Sequence, residues 1–424
     1  MDAGNLTDVS QAVQDTASTN QVLIHANKAL NIRLRNPPTL VTALFDVKEA
    51  KGAGYGVFAT QDIPSQTKVL VSSSPSAFVV YRTFRKEVCA WCFKYERGRN
   101  WKVKFTTAVA SNGGGMVFCS DDCRNAWSVE YGDTALEAYN ALEGYIQRQG
   151  RKESWNSGLR DQDDDQFSVL PSEEEVDKVW TIIERQAATI RRHRLRDCSQ
   201  VETKANVKGE KKAIQEALTL PVVDTDILFF ILSGVLCRFL STSSLTPSAW
   251  DNLLMLNPSN PYSSLNTLYL VVNAYLQLLA ILPLPLIRDT VLNRESIESV
   301  LSRDVGNSFG IWSTSDSEED PEMLGYGIWT LASFFNHSCA PNLSKQRQGR
   351  KWTFTAAPVG GELAIQPSTE LSITYIRGEE DSLHVEDRRK KLQDGWGFVC
   401  RCSKCSSESN RSFSLSFISS LSGV

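Results

Sequence analysis

Eight of the ten cysteines fall into tight sets. CAWC supplies Cys89 and Cys92, FCSDDC supplies Cys119 and Cys123, and CRCSKC supplies Cys400, Cys402 and Cys405, while Cys339 lies in NHSCAPNL. A zinc ion takes four soft ligands at tetrahedral corners, with thiolate sulfur at about 2.3 Å. A C-x2-C turn brings two sulfurs to one side of the backbone, and a spacing of four does so where a helix begins. Cys89, Cys92, Cys119 and Cys123 thus make a four-thiolate site, the alternative being unligated core thiols. CRCSKC offers three ligands, and Cys339 is the candidate fourth, since the other cysteines are paired or lie in helical surroundings. A three-thiolate site completed by water would instead indicate catalytic zinc, but no carboxylate is poised beside these cysteines. Cys198 and Cys237 stand alone and read as small apolar fillers or surface thiols.

Other residues could bind or catalyse. In KGAGYGVFA the glycines flanking Ala53 let backbone approach a ligand closely, or simply make a turn. Asn336 donates and accepts, so it can hold a zwitterionic amino-acid end or tie a turn together. His337, in ASFFNHS, is either functional or a satisfied core histidine. Tyr375, in LSITYI, is a sheet tyrosine or a phenol that orients an amine. A metal shared by Cys339 and the last cysteines would place all of these beside the aromatic-bearing tail.

The surrounding chain has to position them. A length of 424 residues can bury a large core, and 42% hydrophobic with 22% charged residues is ordinary for a folded chain. A net charge of -4 gives no global pull toward nucleic acid or anionic lipid. The N-terminus has neither a basic region nor an apolar run, so no secretory signal is expected, and clustered thiols in a reducing compartment favour metal over disulfides. The run LTLPVVDTDILFFILSGVLCRFL is broken by Pro221, Asp224 and Asp226 and reads as a core helix, not a membrane span. Residues 1–38 form an N-terminal extension. From 39 to 88 the texture is short β runs, 89–127 is a cysteine knuckle, and 128–290 is helical, with Ser172 as a helix cap. β-texture is expected again over 291–380, then a helix and the last cysteines over 381–410, then a disordered tail over 411–424. The acidic runs at 161–165 and 313–322 face solvent or attract a basic tail, and Ser315 and Ser317 are candidate phosphorylation sites.

KGAGYGVFA, NHSCAPNL, GELAIQPSTELSITYI and FVCRCSKC, in that order, resemble the SET-domain protein lysine methyltransferases. The inserted knuckle is similar to that of the SET-and-MYND branch, particularly its smaller fungal members. The resemblance implies an α+β SET fold of small antiparallel sheets with a pseudoknot, an exception to the rule against knotting. It is split by a MYND-like zinc knuckle and a helical insert and closed by a post-SET zinc site. It also implies S-adenosyl-L-methionine as cofactor and two structural zinc ions. By family pattern Lys51, Gly52, Ala53, Gly54 and Tyr55 lie against the cofactor, as do Asn307, Ser308 and Phe309, then Asn336 and His337. Tyr375 is the implied catalytic residue and, with Phe398, lines the cofactor pocket and lysine channel.

Methyl transfer to an amine is one in-line displacement, which asks for alignment and a neutral nucleophile. Aromatic walls admit the lysine stem, and desolvation lowers its pKa. MYND modules usually hold two interleaved zinc sites with seven cysteines and a histidine. Only one set of four cysteines remains here, which implies a structural knuckle more than a recruiting one. The expected partner is a protein presenting a lysine, histone or non-histone, from chromatin or the translation machinery. No direct nucleic-acid or membrane contact is expected, and the protein is read as a monomer of nucleus or cytoplasm. The alternative is a catalytically inactive SET-fold zinc protein acting as a scaffold. A zinc-dependent nucleic-acid binder is disfavoured by the acidic balance.

Overall fold

The computed structural model describes residues 43–50, 52–105, 115–153, 170–196, 204–221, 223–242, 248–313, 321–357, 364–376 and 382–409. Lys51, Cys198, Ser315, Ser317, the acidic run 161–165 and the segments 1–38 and 411–424 lie outside the described residues.

Eleven short strands form four small antiparallel sheets among the described residues. A hairpin of β1 (Phe45–Ala50) and β2 (Gly54–Ala59) turns through Gly52 and Gly54, whose φ values of 79° and 74° suit glycine. β3 (Ile63–Pro64), β4 (Lys68–Ser72) and β5 (Ala77–Val80) follow. Their partners come late in the chain: β6 (Phe309–Trp312), β7 (Met323–Ile328), β8 (Leu343–Gln348), β9 (Lys351–Ala356), β10 (Ala364–Ile365) and β11 (Glu370–Leu371). The sheet orders are β1-β2-β11, β10-β3, β4-β9-β8 and β5-β7-β6. In β9, KWTFTA, Trp352, Phe354 and Ala356 alternate inward, as period-two burial requires.

The helical block sits between β5 and β6 in sequence. It comprises α1 (Asp121–Glu153, kinked at Gly132), α2 (Glu173–Arg194), α3 (Lys204–Thr219), α4 (Thr225–Ser241), α5 (Ala249–Leu254), α6 (Leu265–Ile281) and α7 (Arg294–Leu301). α8 (Val385–Trp396) comes after the last strand. Ser172 and Glu175 close a reciprocal capping box at the start of α2. Asp224 caps α4, which is buried continuously from Leu228 to Leu236, so that apolar run is a core helix. No described helix is long and apolar enough to cross a membrane. α7 lies past residue 290, where β-texture was expected; Asn293 and Ser296 cap it and Ile297 and Val300 bury one face. Eight residues are too few for their period to stand out, and strands resume only at Phe309.

The knuckle is built into the core. The Arg350 guanidinium stacks 3.9 Å above the Trp91 ring and reaches Glu130 Oε1 at 3.0 Å. Trp329 donates to the Arg350 carbonyl at 2.8 Å. Gly349, at φ 61°, brings the β8–β9 turn so close that a Cβ there would meet the Cys92 carbonyl at 2.8 Å. Tyr95 donates to Glu322 Oε2 at 2.7 Å from the other side. Arg350→Ala should therefore cost about 2–3 kcal/mol, by lost stacking and an abandoned Glu130. Lys351→Ala, at an exposed neighbour, should stay within about 0.5 kcal/mol. Denaturant midpoints of the two variants check the contrast, and equal midpoints would refute it.

Candidate functional site

Three chain segments meet at the β1–β2 hairpin. The Asn336 side-chain nitrogen donates to the Tyr55 carbonyl at 3.1 Å and to Glu370 Oε1 at 2.8 Å. This leaves no room at Gly56, where a Cβ would lie 2.7 Å from Glu370 Oε1 and 2.9 Å from Asn336 Nδ2. Both amide hydrogens of Asn336 are thus committed, and its Oδ1 accepts no hydrogen bond among the described residues. The side chain is fixed by these two bonds, and Oδ1 is left as its acceptor.

The helical block supplies the opposite wall. A Cβ at Gly54 would overlap the Asn257 amide, which donates to the Ala53 carbonyl at 3.3 Å. Asn307 in turn donates to the Asn257 carbonyl at 3.1 Å. Buried Arg303 holds this loop by donating to the Leu254 carbonyl at 2.8 Å, and Ser259 donates to Ser302 O. Ser308 turns its hydroxyl to Asp304 Oδ1 at 2.6 Å, and Phe309 packs its ring on Trp352, 5.2 Å between centroids. Of the NSF residues only Asn307 therefore points a bond toward the hairpin wall; the side chains of Ser308 and Phe309 are used for local structure. Gly52 has open space around it, and Tyr55 contributes its carbonyl to Asn336.

The third wall is woven from NHSC and the segment carrying Tyr375, which follows β11. Ile373 donates to Asn336 O at 3.0 Å, Ser338 to Ile373 O at 3.0 Å, and Leu343 to Ser372 O at 3.1 Å. Asn342 spans the same seam, donating to Glu370 O and accepting from the Ser372 amide, each at 2.8 Å. His337 accepts the Tyr375 amide at Nδ1 (3.0 Å), and its Nε2 lies 3.2 Å from Cys339 Sγ. Burial pushes this imidazole down to about 4, so the ring is neutral near pH 7. Both ring nitrogens of His337 are thus engaged within the protein. Tyr375 donates its hydroxyl to the Phe335 carbonyl at 3.0 Å, and burial, then the Glu370 charge, raise its pKa, keeping the phenol protonated. Its ring packs on His337, Trp396 and Phe398 at centroid distances of 5.3, 5.5 and 6.3 Å. Gly397, in the left-handed region at φ 74°, ends α8 and swings Phe398 back beside Trp396.

Gly56, Asn257, Glu370 and Trp396 were absent from the sequence expectations. Glu370 and Gly56 stood inside the quoted motif blocks and Trp396 beside Phe398. Nothing in LNPSNP marks Asn257.

Each predicted cysteine set comes together, its four sulfurs all within 4.8 Å of one another. Cys92 and Cys119 are 3.6 Å apart, Cys119 and Cys123 3.5 Å, and Cys339 and Cys405 3.5 Å. Tetrahedral thiolates around zinc stand about 3.8 Å from each other. These separations far exceed a disulfide bond. Within each set the thiols compete for protons: the hydrogen bond from Cys92 draws Cys89 down to about 5, while burial first pushes Cys123 up to about 11. The hydrogen bond with Cys339 holds Cys402 well below the usual thiol range, and those with Cys400 and then Cys402 raise Cys339 well above it. A dication bound by all four sulfurs would replace the shared protons, so both donor sets fit structural zinc. Elemental analysis of folded protein should find two zinc ions per chain. Cys402→Ser should lose one and loosen the tail, and Cys89→Ser should lose the other with general damage to folding. One ion or none in folded wild type would contradict this.

The SET domain family profile matches residues 54–376. The potential protein lysine methyltransferase SET6 of Saccharomyces cerevisiae is 27% identical over 384 residues, covering 87% of this chain and 96% of its own. A SET and MYND domain-containing protein of Dictyostelium discoideum is 31% identical over 116 residues, 27% of each chain. Histone-lysine N-methyltransferase SET5 of Yarrowia lipolytica is 36% identical over 81 residues, 19% of this chain and 17% of its own. The chain therefore spans nearly the whole of the first relative and less than a third of the other two. With the profile covering most of its length, including β2, NHSC and the segment carrying Tyr375, this chain belongs to the SET domain family.

Proposed function

We propose that the protein is an S-adenosyl-L-methionine-dependent methyltransferase acting on a lysine side chain of a protein substrate. The observation that carries this reading is Asn336, whose nitrogen is tied to Tyr55 O and Glu370 beside glycine-only backbone, leaving its oxygen as an acceptor near a phenol in an aromatic wall. S-adenosylmethionine supplies an electrophilic methyl group on a positively charged sulfur.

The residues present fit that cofactor. Its ammonium group suits Asn336 Oδ1, because a fixed carbonyl can only accept. Backbone at Gly52, Ala53, Gly54 and Tyr55, with Lys51, would lie along it, and Asn307 and Asn257 would complete the edge. His337 would contribute backbone, and Phe398 and Trp396 would exclude water.

Tyr375 positions the amine. Its proton goes to Phe335 O, so the remaining lone pairs of the oxygen are free to accept an amine N–H. The raised phenol pKa keeps it from acting as a base, so it works by placement. A lysine entering between the Tyr375, Trp396 and Phe398 rings would lose hydration, which lowers its pKa toward the neutral nucleophile.

In this reading Cys339, Cys400, Cys402 and Cys405 form the post-SET zinc site, and the seam between 336–343 and 370–373 is the pseudoknot. Cys89, Cys92, Cys119 and Cys123 form a one-site MYND-like knuckle, structural because Arg350, Trp91 and Gly349 weld it to the core. The near full-length match to SET6 supports the smaller fungal branch.

Tyr375→Phe separates catalysis from structure. The lost hydrogen bond should cost about 1 kcal/mol of stability. The rate should fall roughly 10²-fold or more, since misplacing a reacting group by about an ångström costs that much. A change in the number of methyl groups added is the other supporting result, because the missing hydroxyl leaves room for a methylated amine. Asn336→Ala should weaken S-adenosylmethionine binding in calorimetry as well as rate. Labelled methyl transfer into cell extract, melting temperature and product mass are the readouts. An unchanged rate and product in Tyr375→Phe would remove Tyr375 from the reaction, and a wild type that binds no cofactor would favour the scaffold reading.

A further inference from the structure

We propose that His337 is a positioning residue that joins the second cysteine site to the segment carrying Tyr375, donating from Nε2 to Cys339 while holding the Tyr375 amide at Nδ1. The directions of the two bonds follow from the donors available. A backbone N–H can only donate, so the 3.0 Å contact from the Tyr375 amide makes Nδ1 the bare, accepting nitrogen. An imidazole with one bare nitrogen carries its proton on the other, so the proton sits on Nε2, which faces Cys339 Sγ at 3.2 Å. A protonated ring nitrogen cannot ligate a metal. His337 is thus a hydrogen-bond donor to a ligand and not a competing ligand itself.

Charge makes that bond useful. Four thiolates around a dication carry a net charge of about -2, and a largely buried site needs donors to offset it. Side chains that supply them include the His337 ring at Cys339 and Arg388, whose Nη2 lies 3.7 Å from Cys405 Sγ. Arg388 belongs to α8 and stays with the tail, where it also pairs with Glu408. His337 bonds both to the metal set and to the facing segment that carries Tyr375. Its backbone neighbours are anchored there as well, through Ile373 to Asn336 O and Ser338 to Ile373 O, both 3.0 Å. The ring therefore sits on a rigid seam, with its ends on a sulfur and on the peptide of Tyr375. Metal binding at Cys339 orients the ring, and the ring sets the Tyr375 peptide. The second metal site is then a tuning element for that tyrosine as well as a staple for the tail.

Two substitutions divide the bonds. The amide of Asn ends at the depth of Nδ1, so His337→Asn can accept the Tyr375 amide but falls short of Cys339. The amide of Gln reaches the depth of Nε2, so His337→Gln can donate to sulfur but leaves the Tyr375 amide. Zinc release from the full chain is followed by competition with a chromophoric chelator, with the Cys89 set as internal control for folding. His337→Asn should release one of its ions at roughly 10- to 100-fold weaker affinity, the usual range for a lost outer-shell donor, and the control ion unchanged. His337→Gln should hold both ions near wild-type affinity. Hydrogen exchange of the peptide spanning Ser372 to Ile376 reads the other arm. It should quicken in His337→Gln, and in Cys402→Ser with the second ion gone.

Wild-type zinc affinity in folded His337→Asn would overturn the proposal. So would exchange at Tyr375 that is indifferent to the metal in the otherwise native chain. The consequence for turnover rests on the methyl-transfer reading, but the metal and exchange measurements do not. Failure of S-adenosylmethionine to bind the wild type would sink that reading and leave this coupling standing, and intact cofactor binding with no coupling would do the reverse.

Discussion

Everything at the site depends on the side-chain nitrogen of Asn336, which ties together segments otherwise remote in the chain. It bonds the Tyr55 carbonyl on the N-terminal hairpin and the Glu370 carboxylate at the start of the last strand. A single amide with two acceptors has one stable orientation, so its own oxygen is left in one place without any further restraint. The cost is borne by the neighbours. Gly56 can carry no side chain, and Glu370 must remain an acceptor at a half-buried position. Glu370 also raises the Tyr375 pKa, so one carboxylate sets the orientation of Asn336 and helps keep the phenol protonated.

The two large insertions serve this junction in different ways. The helical block does not merely interrupt the sheets. Its Leu254–Ser259 loop is pinned by Arg303 and Ser302 and delivers Asn257 against Gly54. Arg303 is fully buried, and burial pushes its guanidinium down to about 10, so it is held mainly by carbonyls. The knuckle works from below, bracing the β8–β9 turn through Trp91 and Gly349. Phe354, on β9, packs edge-on against Phe335 at 5.0 Å, whose carbonyl receives the Tyr375 hydroxyl. The path from knuckle to phenol is therefore a short series of packed rings.

What could be read from the sequence was whatever local spacing encodes. Soft-ligand spacing is a short-range property, so both cysteine sets were legible, and the fourth ligand of the second followed once the others were placed. The capping box at Ser172 and the interrupted apolar run at Asp224 were legible for the same reason. Asn257 was not, because its proximity to Gly54 exists only after α5 and the hairpin dock. The side-chain fates of Ser308 and Phe309 were hidden too, since Asp304 and Trp352 claim them through tertiary contact. The bonds of the His337 ring to the protein's own amide and sulfur were hidden for the same reason, since the Tyr375 amide arrives by tertiary contact.

The pairing of early strands with late ones has a consequence for biosynthesis. Val57 pairs with Leu371, and Ala77 with Ile328, across the whole helical block. At about 5–20 residues per second, the ribosome needs roughly 15–60 s to deliver Leu371 after Val57. During that interval β2 and β5 are bare apolar edges, the kind of surface that chaperones hold and that otherwise aggregates. The two cysteine sets differ in the same respect. Cys89 to Cys123 emerge together and can close on an ion early, whereas Cys339 waits for Cys400, Cys402 and Cys405. Any metal loading would thereby be ordered in time, the first set ahead of the second.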